Sequence, residues 1–412
     1  MLMEEKTRFV VGIDIGTNFV RAAIGEMTHD GIRVVGYGEA PSDGVRRGII
    51  NDISAPCAAI DHALAAAEKM SGLQVSDAAV SINGVNTTST KVDGMIAVGV
   101  ADHEIDEEDL IRIIETSVAG KVPETRQILK NMPYEYILDG QGGIREPIGM
   151  KGARLEMRAN VISTMKLDFD NVVKACAAAN LVPSVIEPSV IAASRAVLTG
   201  QQKENGVAVI DMGGATTSIA IYDEGELQYV GVCPYGSNDI TNDLAAYLKT
   251  VPDVAEEIKL RFASCQFGEN SKDVKIKRGR DELSFSRQDV DDVIESRLEE
   301  IFEMMRKHLV HAGYDRRLPE GIILTGGGAK LKDIDKYVRT QMELAVRIGV
   351  PERISGVSED VKKPEFATVI GLMFADNEAG LRDEFSNNAK ISKKKQAKKS
   401  GGAVARFFKL FK

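Results

Sequence analysis

Two segments of this chain align without a gap at an offset of 197 positions: VVGIDIGTNFVRAAI at 10–24 and VAVIDMGGATTSIAI at 207–221. In each, β-branched and apolar residues deliver an aspartate at a strand end, Asp14 or Asp211. Glycines (Gly16; Gly213 and Gly214) then permit a tight turn, and the chain returns as a second strand. Such a hairpin offers backbone N–H groups and threonine hydroxyls to a phosphate chain, and its aspartate can hold a hydrated Mg²⁺ that the phosphates also bind. One Asp-x-Gly-Gly turn is an ordinary hairpin tip. Two matching ones predict a duplicated fold whose halves face a single nucleotide.

A chain of 412 residues has room for two or more domains with real cores. The start, MLMEEKTRFV, has no apolar signal core, and no apolar run approaches the roughly 20 residues that a membrane-spanning helix needs. Cys57, Cys176, Cys233 and Cys265 have neither metal nor redox spacing, as expected of reduced cytoplasmic thiols. His308 and His311 lack a third ligand nearby in sequence, so no metal is expected there. Charge is uneven: nine cations and no acid from Asn388 onward, set against a net −9 overall, leave −18 on the residues before. An acidic body argues against nucleic acid as partner, while the basic tail calls for an acidic target of its own.

Past the first hairpin the pattern predicts a strand at 31–37, a helix at 52–71 and a strand at 75–82. Residues 85–164 break this order. An acidic amphipathic helix (104–115), a strand (132–140) with a glycine turn at Gly142-Gly143, and a strand at 154–163 describe a small α+β insertion, read as an interaction module. Helices follow at 168–179, 234–248, 254–263 and 287–311, with a polar hairpin at 275–285. At 321–331, GIILTGGGAKL opens a strand into Gly326, Gly327 and Gly328, where a flat ligand can lie against the backbone at a helix start.

Residues 384–400 have no periodicity and read as a disordered basic linker. In 401–412, Val404, Phe407, Phe408, Leu410 and Phe411 fill one helical arc, and Arg406, Lys409 and Lys412 the opposite one. That is the pattern of an amphipathic helix that lies in a membrane surface, drawn to anionic lipid.

With these pieces placed, the sequence resembles the actin/Hsp70/sugar-kinase superfamily and, within it, the FtsA family of bacterial division proteins, over 8–380 and the terminal helix. PSDGVRRGIINDI (41–53), MPYEYILDG (132–140), EPIGMKGARLE (146–156) and PYGSNDITNDLA (234–245) carry the narrower likeness. The resemblance implies an α/β, actin-like ATPase fold: two duplicated RNase-H-like halves with an inserted small α+β subdomain. It divides the chain into subdomain 1A (8–84, 165–204 and about 363–383), the insertion (85–164), 2A (205–241 and 317–362) and 2B (242–316), then the linker and terminal helix.

It also implies roles. Asp14, Gly16, Thr17 and Asn18 would form the first phosphate loop, and Asp211, Gly213, Gly214 and Thr216 the second. Gly326, Gly327 and Gly328 would form the adenosine loop, with Glu256 and Lys259 gripping ribose and adenine. Glu187 would be the catalytic residue near the attacking water. ATP and Mg²⁺ would be the cofactors, the metal held through water by Asp14 and Asp211. Partners would be the C-terminal tail of FtsZ (docking near 242–314), other copies of the chain, anionic lipids and later division proteins, at the inner face of the cell membrane. Two positions depart from the family pattern: Ala215 stands where many relatives have a third glycine, and Phe19 where they have Lys or another polar residue. Both leave nucleotide binding in place and point to a weak ATPase at most. The rivals are a soluble small-molecule kinase of the same fold and another actin-like scaffold, such as a pilus-assembly protein.

Overall fold

The computed structural model describes residues 8–99, 103–268, 272–279 and 281–396. Its two halves repeat one strand order. In the first, Gly31–Pro41, Phe19–Thr28, Phe9–Ile15, Asp77–Ile82 and Val182–Pro188 lie side by side in that order, with Ile354–Gly356 added beyond Gly31–Pro41. In the second the order is Glu226–Cys233, Thr217–Asp223, Val207–Met212, Ile322–Thr325 and Val346–Ile348. The first three strands of each half form an antiparallel meander and the rest join in parallel. The central strands are fully covered, so FVVGIDI and VAVIDM read as continuous apolar runs up to their aspartates rather than as alternating ones.

Helices cover the sheets. Ser54–Ser71 packs its alanine face (Ala59, Ala63, Ala67) on the first sheet, and Ala367–Gln396 crosses the other face of that sheet. The latter also lies against Ser189–Val197 so closely that a Cβ on Gly371 would sit 1.7 Å from the Ala192 carbonyl oxygen. Ala367–Gln396 runs through the first part of the stretch expected to be a linker. Residues 397–412, and with them the amphipathic segment from Val404 to Lys412, lie outside the described residues. No helix among the described residues is long and apolar enough to cross a membrane.

The insertion is a four-stranded antiparallel sheet in the order Thr88–Ala97, Arg154–Met165, Arg126–Leu138, Gln141–Ile144. Helix Glu107–Val118 seats Leu110, Ile113 and Ile114 against Leu155, Met157 and Val161. A capping box starts this helix: the Asp106 carboxylate accepts from the Glu108 and Asp109 N–H groups, and Asp109 accepts from the Asp106 N–H. The hairpin turn is not at Gly142-Gly143, which lie inside Gln141–Ile144. It falls at Asp139-Gly140, both at positive φ (49° and 88°), the Asp-Gly geometry that matches strand twist in a two-residue turn.

A third layer sits beside the second half. Helices Ser237–Tyr247, Pro252–Phe262 and the 26-residue Arg287–Ala312 enclose one core with the hairpin Val274–Arg278/Asp281–Phe285. Val290, Ile294, Leu298, Ile301, Met305 and Leu309 recur every three or four residues and form the buried stripe of the long helix.

Candidate nucleotide-binding cleft

Each hairpin tip is closed in the same way. Asp14 pairs across its hairpin with Arg21, and the Gly16 N–H donates to the Phe19 carbonyl at 3.1 Å. In the second half Asp211 pairs with Ser218, and the Gly213 N–H donates to the Thr216 carbonyl at 2.9 Å. The two tips face one cavity of about 430 Å³ between the halves. Asp14, Gly16, Thr17 and Asn18 line it from one side, and Asp211, Gly213, Gly214 and Thr216 from the other. Glu256, Lys259, Gly326, Gly327 and Gly328 complete the wall, so every residue expected to touch nucleotide meets in one place. Ala215 is not among the lining residues.

The two carboxylates set the electrostatics. Asp14 is buried and accepts a 2.8 Å hydrogen bond from Ser81 Oγ, which itself accepts from the Ile15 N–H. Burial raises its pKa, against Arg21 and Ser81, which lower it. Asp211 is pushed up to about 7, first by burial and then by the charge of Asp14. Thr368 Oγ1 donates weakly to it at 3.5 Å. A buried and a half-buried carboxylate, the charge of Asp14 disfavouring ionisation of Asp211 and each offering oxygen ligands, suit a hard divalent cation and its waters.

The glycine loop fits a flat ligand for steric reasons. Gly326 is at φ 84°, and a Cβ there would lie 2.3 Å from Asp211 Oδ1. Gly327, by contrast, faces open space within the cavity wall. Helix Pro252–Phe262 brings Glu256 and Lys259 to the wall, one turn apart. Lys259 is not on a solvated face: its Nζ is buried, donating to Glu256 at 2.7 Å and to the Ser237 carbonyl at 3.1 Å.

Several contacts around the cavity have no local sequence signature. Asn18 and Asn238 exchange two amide hydrogen bonds, 2.8 and 2.7 Å, and so clasp the halves together across the cleft. The N–H groups of Ser237 and Asn238 donate to the carbonyls of Gly213 and Gly214, which anchors helix Ser237–Tyr247 on the second tip. Arg21 also lines the cavity, two positions beyond Phe19 on the same strand. Alternation along a strand was the signal available for it.

Glu187 stands apart from this constellation and does not line the cavity. Its fully buried carboxylate accepts from Arg195 Nε and Nη2 at 2.9 and 3.1 Å and pairs with Lys130 of the insertion. Burial alone would raise its pKa, but Lys130 and Arg195 overcome this and hold it down at about 2. Arg195 extends the cluster to Glu378 at 2.5 Å.

Comparison with known proteins agrees with this architecture. A family model described as cell division protein FtsA matches residues 208–371, and one described as the SHS2 domain inserted in FtsA matches 84–163. The cell division protein FtsA of Neisseria meningitidis serogroup B is 36% identical over 379 residues, covering 90% of this chain and 91% of that one. Among solved structures, a PilM–PilN type IV pilus biogenesis complex superposes with a TM-score of 0.67 at 16% identity, over 89% of this chain and 98% of that one. MreB5 of Spiroplasma citri bound to ADP does so at 0.55 and 14%, over 92% and 98%. At such identities these structures speak for the actin-like fold alone. The family matches and the identity along nine-tenths of the sequence go further: this chain belongs to the FtsA family of cell division proteins, an actin-like fold carrying the inserted SHS2 domain.

Proposed function

We propose that this chain is a nucleotide-dependent membrane tether of the division machinery. It binds ATP with Mg²⁺ in the cleft, self-associates through closure of its two halves, and holds FtsZ polymers at the inner face of the cell membrane. The observation that carries the reading is the convergence of both hairpin tips and the glycine loop on one cavity, with paired carboxylates between them. That a solved structural neighbour of the same fold is bound to ADP supports it.

In this reading the backbone N–H groups of the two tips, with Thr17 and Thr216, bind and orient the phosphates. Gly326 to Gly328 take the flat face of the base, and the Glu256–Lys259 pair orients the sugar. Asp14 and Asp211 would hold Mg²⁺ through its waters, and the ion would supply neutralisation of phosphate charge. Burial and the charge of Asp14 hold the Asp211 carboxyl up at about 7, so a cation held there would favour its ionised form. Glu187 is committed to Lys130 and Arg195, so hydrolysis proceeds without that carboxylate as base and is slow. The Asn18–Asn238 clasp joins the halves beside the cleft, so a ligand held between them would bias how they close. The FtsZ tail docks on the layer formed by 242–314, and the insertion serves as an interaction module.

The membrane part rests on the sequence of 401–412. Co-sedimentation with anionic vesicles tests it, comparing the full chain with a truncation ending at Ser400, each with Mg-ATP, Mg-ADP or no nucleotide. Binding by the full chain alone, modulated by nucleotide, is the expected result. If both forms stay in the supernatant under every condition, the tether reading is wrong.

A further inference from the structure

The duplication is broken at one informative place. Asp14 and Asp211 are equivalent, and so are the residues paired with them across each hairpin, yet these are Arg21 in the first half and Ser218 in the second. Among the described lining residues, Arg21 is the cation that the first half contributes. Those from the second half, Lys259, Arg261, Lys330 and Lys332, sit on the helix Pro252–Phe262 or beside the glycine loop. Three of them are already paired, with Glu256, Glu257 and Glu365. At the carboxylate end, where phosphates would gather, the charge comes from Arg21.

Its guanidinium is also held ready. Cζ lies 5.4 Å from the Phe19 ring centroid and 5.3 Å from that of Phe366, so the guanidinium packs over two aromatic rings. Phe366 is buried and fixed in turn by an edge-on contact with Tyr37 at 5.8 Å. Nε donates to Glu39 at 2.8 Å, while the two Nη groups take no hydrogen-bond partner among the described residues. An arginine with its stem packed, its Nε engaged and its outer fork unused beside two carboxylates is set up to meet an anion that brings its own cation. Phe19, which removes charge from the cleft when considered alone, is one wall of the slot that positions that charge.

Building on the nucleotide reading, we propose that Arg21 is the specificity-determining cation of the cleft: its free fork binds the outermost phosphate and so selects nucleoside triphosphate over diphosphate. Diphosphate has no group at that place and is held by the tips and the glycine loop.

Isothermal titration of the full chain with Mg-ATP and Mg-ADP tests this without reference to turnover. For Arg21→Met the expected result is ATP affinity about 10- to 100-fold weaker, with ADP affinity changed less than about threefold. Arg21→Gln keeps a stem against Phe19 and Phe366 and serves the same measurement if the Met variant does not fold. Arg21→Lys should recover part of the ATP preference, because charge returns without the planar fork. An unchanged ATP:ADP ratio in Arg21→Met or Arg21→Gln, with the wild type binding both ligands, overturns the role of Arg21 and leaves the cleft's assignment standing. A wild type that binds neither ligand overturns both.

Discussion

A Glu187→Gln substitution keeps the shape of the side chain and removes its charge from between Lys130 and Arg195. The carboxyl is held at about 2, against an ordinary value of 4.5. A gap of about 2.5 pKa units corresponds to about 3 kcal/mol of folding stability. Breaking buried ion pairs typically costs about 3–5 kcal/mol, in agreement. At roughly 2–4 °C per kcal/mol, the variant should melt about 6–12 °C below the wild type at pH 7. The pH dependence has a definite sign. The folded-state pKa is depressed, so the stabilisation is complete above about 4.5 and drains away as pH falls toward 2. Thermal melts of both proteins at pH 7 and pH 3.5 should therefore show the wild-type advantage shrinking by about 1 kcal/mol at the lower pH. The opposite pattern, a melting temperature unchanged at pH 7 together with loss of ATP turnover, would refute a structural role and return Glu187 to the chemistry.

Asp211→Asn tests the carboxylate pair. Its folded-state pKa is raised from 3.8 to about 7, so its ionisation costs stability as pH rises through that window, and the full cost is present above about 7. In EDTA at pH 8 the variant should be more stable than the wild type, by up to about 4 kcal/mol, with the difference narrowing by pH 5 and the Mg²⁺-induced rise in melting temperature abolished. A less stable variant at pH 8 would sink this account. Gly371→Ala should destabilise the protein by about 3 kcal/mol or more, because its methyl would collide with the Ala192 carbonyl. Gly200→Ala, with nothing within 4 Å of the added carbon, is the neutral control in the same denaturant titration.

What the sequence revealed, and what it hid, divides along one physical line. The hairpin tips, the glycine loop and the long amphipathic helix Arg287–Ala312 are local patterns, and each repeats a period or a turn chemistry that a dozen residues suffice to declare. The duplication extended this to fold level, since two equal hairpins require two equal sheets. Partnerships between distant side chains leave no such trace. Asn18 meets Asn238 across 220 positions, Lys130 reaches Glu187 from another module, and Arg21 stacks on Phe366 from the opposite end of the chain. Glu187 shows the same divide. Its neighbours in sequence resemble a catalytic stretch, while its neighbours in space are two cations that the motif does not contain. The Asp139-Gly140 turn is an exception: its Asp-Gly signal is local, but it competes in sequence with the glycine pair three residues on.

The SHS2 insertion leaves the first half and returns to it through adjacent strands, with Thr88 paired to Ser163. A segment whose ends lie side by side can be gained or lost in a single genetic event, since a few residues close the gap without rethreading the chain. The backbone is thus permissive, and the obstacle to such an exchange lies in charge. Excising 88–163 also removes Lys130, turning a cluster of two cations and two carboxylates into one with a single excess negative charge, with Glu187 fully buried. A lineage that discards the insertion must also neutralise Glu187 or Glu378, so the evolutionary mark of that loss would appear at residues outside the segment lost.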